Sequence, residues 1–320
     1  MEATIQTATG KSIDFSTYYE QHRNDPVVII LGCQGSGTNL LSKMLINLFD
    51  FAVIRDRTLI FNSAINVLNA PTPATVRRED ARIMRQLFPS PLRARFTMGH
   101  YHHRNRGYVG LADHLERLTP ESAEEFAYRY YLYHAWRDNA RHIALKCDDM
   151  WETIGHLDRV FSRARFIQLV RDPRDNALSV MRKNFGPRDI YAASRYIKTR
   201  INAYDRTIKA HPGDAIQITY ETVLNDPHRF VDLFRDTFGY QPVTDVDAAI
   251  EALKIRSGNQ QKWRRLSAHD LRVSETVLKD ELEQFGYEIA TPDISPLPAS
   301  TIARHVFRDK FFRIPQKLGY

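Results

Sequence analysis

The sequence predicts an α/β fold, a P-loop-like parallel sheet flanked by helices, with a largely helical insertion. The first observation behind this prediction is the run VVIIL at 27–31, a short β-branched stretch typical of a strand buried on both faces. A glycine-rich turn at 32–37 follows, and residues 39–49 then place apolar side chains at helical spacing. Further β-branched runs alternate with helical patterns along the chain, which favours a parallel sheet covered by helices.

Taken in order, the predicted strands are 27–31, 51–54, 142–146, 165–170 and 215–220. The predicted helices are 39–49, 152–162, 176–183, 190–210, 227–238 and 274–285. One more helix is predicted to begin with Thr119 as N-cap and Pro120 in its first turn, since both residues suit those positions. It runs through the aromatic stretch EFAYRYYLYHAW, whose rings we interpret as core; the alternative is that some of them line a cleft.

We interpret residues 1–320 as a single domain with two distinct regions. Residues 56–141 are predicted to form a helical insertion or acceptor lid, because up to the aromatic helix they are irregular and rich in arginine, proline and histidine. Residues 296–320 form a basic C-terminal tail with several phenylalanines. Such a composition is compatible with peripheral contact to a membrane surface.

The charge balance favours anionic partners, because 45 Lys and Arg against 38 Asp and Glu give a net charge of +7. Charge is the only feature that favours nucleic acid, so no nucleic-acid partner is predicted. Two cysteines, Cys33 and Cys147, exclude a disulfide scaffold and a cysteine-rich zinc module. We find neither a signal peptide nor an apolar run of about 20 residues, so the expected location is the cytoplasm.

The glycine-rich turn Gly32–Asn39 has the spacing of a phosphate-binding loop between a strand and a helix. In nucleotide hydrolases the last glycine is followed by Lys and then Ser or Thr, which reach the β/γ-phosphates and Mg²⁺. Here those positions hold Thr38 and Asn39. The loop therefore predicts a ligand with one 5′ anionic group and no metal, and its alternative is a tight turn without a ligand.

A second anion-binding pattern lies in the stretch RFIQLVRDPRDNALS, which runs from 165 to 179. It places Arg171 at a strand end and Asp-Pro at the start of a helix, and Arg binds phosphate through two parallel hydrogen bonds. Ser179 adds a hydroxyl further along this helix. Two such patterns on one sheet predict a ligand with two separated anionic groups.

These segments together resemble the sulfotransferase family, over roughly residues 27–51 and 142–265. The loop GCQGSGTNLL is similar to its 5′-phosphosulfate loop, and FIQLVRDPRDNALS to its 3′-phosphate motif. ITYETVLNDP resembles the segment whose tyrosine lies near the adenine, and Arg256-Ser257-Gly258 with Lys262-Trp263-Arg264 resembles the late basic loop. The resemblance implies the donor 3′-phosphoadenosine 5′-phosphosulfate (PAPS), no metal, and these donor-binding residues: Gly35, Ser36, Gly37, Thr38, Asn39, Arg171, Ser179, Tyr220, Arg256 and Gly258.

The chain departs from the family at Gly35, where the resemblance implies Lys or Arg beside the leaving-group oxygen. By its place in the chain Lys146 is the main substitute for that cation; Lys262, Arg264 and an arginine of 77–106 are further candidates. Asp148 falls at the position of the family's base. Rival candidates for the base are Asp149, His100, His102 and His103.

The expected activity is transfer of a sulfuryl group from PAPS to a hydroxyl acceptor by in-line attack with general-base help. The arginine- and histidine-rich insertion favours a carbohydrate or glycolipid acceptor. One alternative is a non-catalytic protein of the same fold that binds nucleotide or anionic glycan. The reason for this alternative is Gly35, which stands where the family has its cation. A nucleotide-dependent kinase is a weaker alternative because the loop lacks the lysine and the Mg²⁺-binding hydroxyl.

Overall fold

The computed structural model describes residues 5–6, 12–55, 59–87, 110–115, 117–147, 150–255, 260–292 and 294–317. It confirms the α/β prediction. The strands are β1 (Ile5–Gln6), β2 (Ser12–Ile13), β3 (Val27–Leu31), β4 (Phe51–Ile54), β5 (His142–Cys147), β6 (Ala164–Val170) and β7 (Ala215–Thr219). β1 and β2 form an antiparallel pair, and the others form a five-stranded parallel sheet in the order β4-β5-β3-β6-β7.

The first helices of the described chain are α1 (Phe15–His22), α2 (Thr38–Phe49), α3 (Leu59–Asn69), α4 (Pro73–Leu87), α5 (Leu111–Leu115), α6 (Ala123–Arg137) and α7 (Leu157–Val160). The later ones are α8 (Pro173–Met181), α9 (Ile190–Ala210), α10 (Tyr220–Asn225), α11 (Pro227–Phe238), α12 (Val246–Ala252), α13 (Ala268–Gln284) and α14 (Ala299–Lys317). In the part of the chain that the structure describes, no helix combines the length and apolar composition needed to cross a membrane.

Most predicted elements are confirmed within one or two residues. The helices predicted to begin at 176 and 274 begin at Pro173 and Ala268, because Asp172 and Ser267 cap them. Three further differences occur. Helix α6 begins after Ser122, whose hydroxyl accepts a hydrogen bond from Glu125 N at 3.1 Å, so the predicted Thr119 cap is wrong. The predicted helix 152–162 is reduced to α7 and preceding 3-10 turns. β7 ends at Thr219, which caps α10, so Tyr220 opens a helix instead of ending a strand.

The chain divides into two compact units, and the first comprises 1–29, 42–165 and 241–245. In it β4 and β5 pair with Phe51 opposite His142 and Ile54 opposite Leu145. The tyrosines of α6 are at most 1% exposed, as the core interpretation predicts. Buried tyrosine needs a partner for its hydroxyl, and Tyr128 OH donates to Asp25 O at 2.7 Å.

The second unit comprises 30–41, 166–240 and 246–320. β6 and β7 pair along their whole length, with Phe166 opposite Ala215 and Val170 opposite Thr219. The long helix α9 packs against α8, α13 and α14. This unit contains both the glycine-rich turn and the Arg171 segment, so the two predicted anion sites lie in one compact body.

Candidate functional site

The glycine-rich turn adopts a backbone that requires glycine at two positions. Gly35 has a φ of +89° and Gly37 a φ of +99°, a region that residues with a Cβ rarely adopt. A Cβ on Gly37 would lie 2.2 Å from Cδ2 of Tyr220, so the ring of Tyr220 packs directly on the backbone. The turn delivers the chain into α2, and the N-terminal end of a helix carries a partial positive charge that is suited to an anion.

Arg171 joins the turn to the start of α8. Its Nη1 donates to the carbonyl oxygen of Gly35 at 3.0 Å, and its Nη2 to Oδ2 of Asp175 at 3.2 Å. The guanidinium also lies over the ring of Tyr220, 5.1 Å from its centroid. Arg171 is only 4% exposed, so these contacts fix a buried positive charge beside the glycine turn.

Ser179 lies beside the same glycine. A Cβ on Gly35 would be 2.9 Å from Cβ of Ser179, so the turn packs directly against α8. The Oγ of Ser179 accepts a hydrogen bond from Nζ of Lys262 at 3.3 Å. A hydroxyl, an ammonium group and a guanidinium therefore surround one glycine backbone, which is an arrangement suited to an anion.

Lys262 sits in a positively charged environment. Burial lowers its pKa, and the neighbouring charges of Arg171 and Arg182 lower it further, against the opposing effect of Asp175. A cavity of about 260 Å³ lies next to it, lined by Leu178, Arg182, Gln260, Gln261, Lys262, Arg265 and Leu266. An anion bound here would contact Lys262, Arg182 and Arg265, and it would offset the positive charge around Lys262.

A buried ion-pair network holds the start of α8. Arg174 is 1% exposed and donates to Asp172 from Nε at 3.1 Å and from Nη2 at 2.8 Å. It also pairs with the fully buried Glu275, and its guanidinium lies 3.7 Å from the ring centroid of Trp263. The backbone N–H of Trp263 in turn donates to Oδ1 of Asp175 at 3.1 Å. Trp263 therefore ties the late basic segment to the helix that carries Ser179.

Several buried polar atoms of this region have no hydrogen-bond partner among the described residues, and they include Oγ of Ser36 and Oδ1 of Asn176. Ser36 is 1% exposed within the turn, and Oδ1 of Asn176 lies 3.3 Å from the position of a Cβ on Gly35. Unsatisfied buried polar atoms are rare in folded proteins and call for a missing partner. The cations, the turn and the unsatisfied hydroxyl all fit a ligand with anionic and polar groups.

A comparison with known protein families shows to which family the chain belongs. The family model described as the sulfotransferase family matches residues 26–245, well over half of the chain. The chain belongs to the sulfotransferase family. No curated protein matches it.

Several solved structures are similar to this sulfotransferase. Sulfotransferase STF9 from Mycobacterium avium is 16% identical, with 86% of this chain and 82% of that chain covered and a TM-score of 0.49. The sulfotransferase domain of the Synechococcus PCC 7002 olefin synthase is 16% identical, with coverages of 82% and 94% and a TM-score of 0.45. The sulfotransferase domain from the curacin biosynthetic pathway is 14% identical, with coverages of 82% and 98% and a TM-score of 0.49.

The sequence-predicted donor residues fall into two groups. In the second unit of the sulfotransferase the structure brings together the turn residues and those that contact it, which are Gly35, Ser36, Gly37, Thr38, Asn39, Arg171, Ser179 and Tyr220. Arg256 and Gly258 lie outside the described residues. The resemblance placed Lys262 in the late basic loop, but its bond to Ser179 could not be found from spacing, because the two residues are 83 positions apart in the chain.

Among the predicted catalytic residues the structure describes Lys146, which is 5% exposed near the end of β5 in the first unit. The base candidate Asp148 and its rivals Asp149, His100, His102 and His103 lie outside the described residues. Their roles stay predictions. No group of three or more metal-binding side chains occurs in the described ranges.

Proposed function

We propose that this sulfotransferase takes its sulfuryl group from PAPS, held by the glycine turn at the 5′ end and by Arg171 and Ser179 at the 3′-phosphate. The proposal rests on the hydrogen bond from Arg171 to the carbonyl oxygen of Gly35. This bond joins the glycine turn and the Arg171 motif into one site, although the two residues are 136 positions apart. When bound, PAPS supplies an activated sulfuryl group. The protein supplies the backbone N–H groups of the turn and the charges that hold it.

Lys262 is assigned to the same anion as Arg171. Its ammonium group is within hydrogen-bond distance of Ser179, and three cations meet at that point. Arg264 is a further candidate for the cation that the family places at position 35. It pairs with Glu288 at 2.6 Å on an exposed surface, so it is poorly placed to supply that charge. Lys146 then stays the candidate for the charge that the family places at position 35.

The transfer needs a base for the acceptor hydroxyl. A bond forms between the acceptor oxygen and sulfur while the bond from sulfur to the 5′-phosphate oxygen breaks, and the hydroxyl proton passes to Asp148. We expect Asp148→Asn to lower kcat by about 10²–10⁴ with unchanged affinity for 3′-phosphoadenosine 5′-phosphate (PAP), the donor product. Asp149→Asn tests the rival carboxylate: it should leave kcat near the wild-type value, and a loss in this variant alone would assign the base to Asp149. An unchanged kcat in Asp148→Asn, with loss on substitution of a histidine at 100, 102 or 103, would assign the base to the insertion.

The acceptor is proposed to be a hydroxyl of a glycolipid or of a carbohydrate with an apolar group. In the first unit a cavity of about 540 Å³ has apolar walls that include Val67, Val76, Leu115 and Leu118. Its polar side includes Arg129, which is 1% exposed and donates to Asp80 at 2.8 Å. Apolar walls with a few polar groups are typical of sites for amphiphilic small molecules.

A radiolabelled-sulfate transfer assay with a panel of glycolipids and free sugars tests the acceptor proposal. Val76→Trp fills the cavity and is expected to raise the acceptor KM with little change in PAP affinity. Val243→Trp, at a side chain 48% exposed, is the matched control. Transfer to free sugars alone, or an unchanged acceptor KM in Val76→Trp, would contradict the acceptor proposal without touching the donor site.

The donor proposal has a separate test. PAP is expected to raise the Tm of the wild type, and Arg171→Ala is expected to abolish this shift. Arg229→Ala, at an exposed arginine of the same unit, should keep it. An equal shift in wild type and Arg171→Ala would show that the nucleotide binds elsewhere.

A further inference from the structure

The C-terminal helix α14 carries an exposed apolar ridge. Phe307 is 71% exposed and Phe311 is 57% exposed, and their rings stack with centroids 6.3 Å apart. Residues four apart share one face of a helix, and Ala303 extends the same line by one turn. A continuous apolar surface of this kind marks a site of interaction, in contrast to single exposed side chains.

Positive charges flank the ridge on both sides. At about 100° per residue, Arg304 and Arg308 lie along one edge of the Phe307–Phe311 line and Lys310 along the other. All three are exposed. Nε of Arg308 lies 3.8 Å from Asp189, yet its side chain keeps 55% of its surface. The outer face of α14 is thus an apolar line with two arginines along one edge and a lysine along the other.

The opposite face of α14 is fixed to the second unit, so the ridge cannot turn inward. His305 is 3% exposed, and its Nδ1 lies 2.9 and 3.0 Å from the two oxygens of the buried Asp189. The backbone N–H of Arg188 donates to Oδ1 of Asp309 at 2.7 Å. These contacts hold the helix by its inner side and leave the ridge facing outward.

We propose that α14 lies in the plane of an anionic lipid surface, with Phe307 and Phe311 inserted and the flanking cations at the lipid phosphates. Apolar side chains between rows of Lys and Arg are the composition of interfacial helices, and anionic headgroups attract each added cation. A convex ridge enters a fluid interface without a shaped partner. A symmetric contact with a second copy would bring like charges together, so charge disfavours it. The proposal does not depend on the donor site.

The test is vesicle co-sedimentation of the full chain, with phosphatidylcholine alone and with added phosphatidylserine. Wild type is expected to bind the anionic vesicles and to release in high salt. Phe307→Ala/Phe311→Ala should weaken binding by about tenfold or more, and Arg304→Gln by about fivefold. Because these side chains are exposed, the variants should keep the wild-type Tm and PAP affinity. Phe185→Ala, at a side chain 57% exposed outside α14, is the matched control and should bind as wild type does.

Three outcomes would overturn the proposal. Equal binding of the double alanine variant and the wild type would show that the ridge is not the contact. Equal binding to neutral and anionic vesicles would remove the role of the cations. A concentration-dependent dimer that the double alanine variant loses, with no vesicle binding, would assign the ridge to a second copy of the chain.

Discussion

Position 35 offers a direct test of the structure. The family resemblance suggests that Gly35→Arg would restore the missing cation, whereas the backbone conformation at this position disfavours any residue with a Cβ. Gly35 has a φ of +89°, and a left-handed backbone costs a residue with a Cβ about 1–2 kcal/mol. The new Cβ would lie 2.9 Å from Cβ of Ser179, and overpacking of this kind costs about 1–3 kcal/mol. We therefore expect Gly35→Arg to lower the free energy of unfolding by about 2–5 kcal/mol.

Urea denaturation of Gly35→Arg, Gly35→Ala, Ser179→Gly and the double variant Gly35→Ala/Ser179→Gly separates backbone strain from the effect of the added charge. Gly35→Ala carries the strain without a cation and should lose nearly as much stability as Gly35→Arg. Ser179→Gly removes the atom that the new Cβ meets, so a double-mutant cycle of Gly35→Ala with Ser179→Gly should give a coupling of about 1 kcal/mol or more. The reasoning is refuted if Gly35→Arg stays within about 0.5 kcal/mol of wild type and raises kcat.

Two further predictions concern the surrounding charges. Burial and then neighbouring guanidinium groups lower the pKa of Lys262, so its charge is lost at a lower pH than that of an ordinary lysine. PAP affinity should therefore weaken as the pH rises through that lowered pKa, and Lys262→Gln should flatten this part of a calorimetric pH profile. If the two profiles coincide, Lys262 does not face the bound anion. Glu275→Gln leaves Arg174 with Asp172 as its remaining carboxylate partner, and urea denaturation should show a loss approaching the about 3–5 kcal/mol of a broken buried pair. A loss below about 1 kcal/mol would mean that Asp172 alone satisfies the guanidinium.

The strands and the glycine turn were predictable because their signals are local. Val27–Leu31 is a continuous apolar run of four β-branched residues and a leucine, and the glycines that follow it leave few alternatives to a tight turn. The start of α6 was missed although a local signal exists: Ser122 and Glu125 have the spacing of a capping box, and the Glu125 side chain accepts from the N–H of Glu121 at 2.8 Å. The Thr119-Pro120 pair is also a favourable helix start, so the sequence alone led to the wrong N-cap.

The motifs of the site could be predicted from the sequence, but the contacts and backbone angles within the site could be predicted only in part. The sequence shows a glycine at 35, but the positive φ and the contact with Ser179 depend on how α8 packs. The bond between Lys262 and Ser179 and the stacking of Arg174 on Trp263 join distant segments, so no spacing rule anticipates them. Long-range packing decides which cations converge.

The central claim is that Arg171 and its neighbours hold a second anionic group of the nucleotide, and a ratio of two affinities tests it directly. PAP and adenosine 5′-monophosphate differ only in the 3′-phosphate, so calorimetry of both ligands measures that group alone. Wild type should prefer PAP by at least about tenfold, since a hydrogen bond to a charged group contributes about 1.5–3 kcal/mol. Arg171→Ala should lose most of this preference and Arg229→Ala should retain it. Equal affinity of the wild type for both nucleotides would contradict the account.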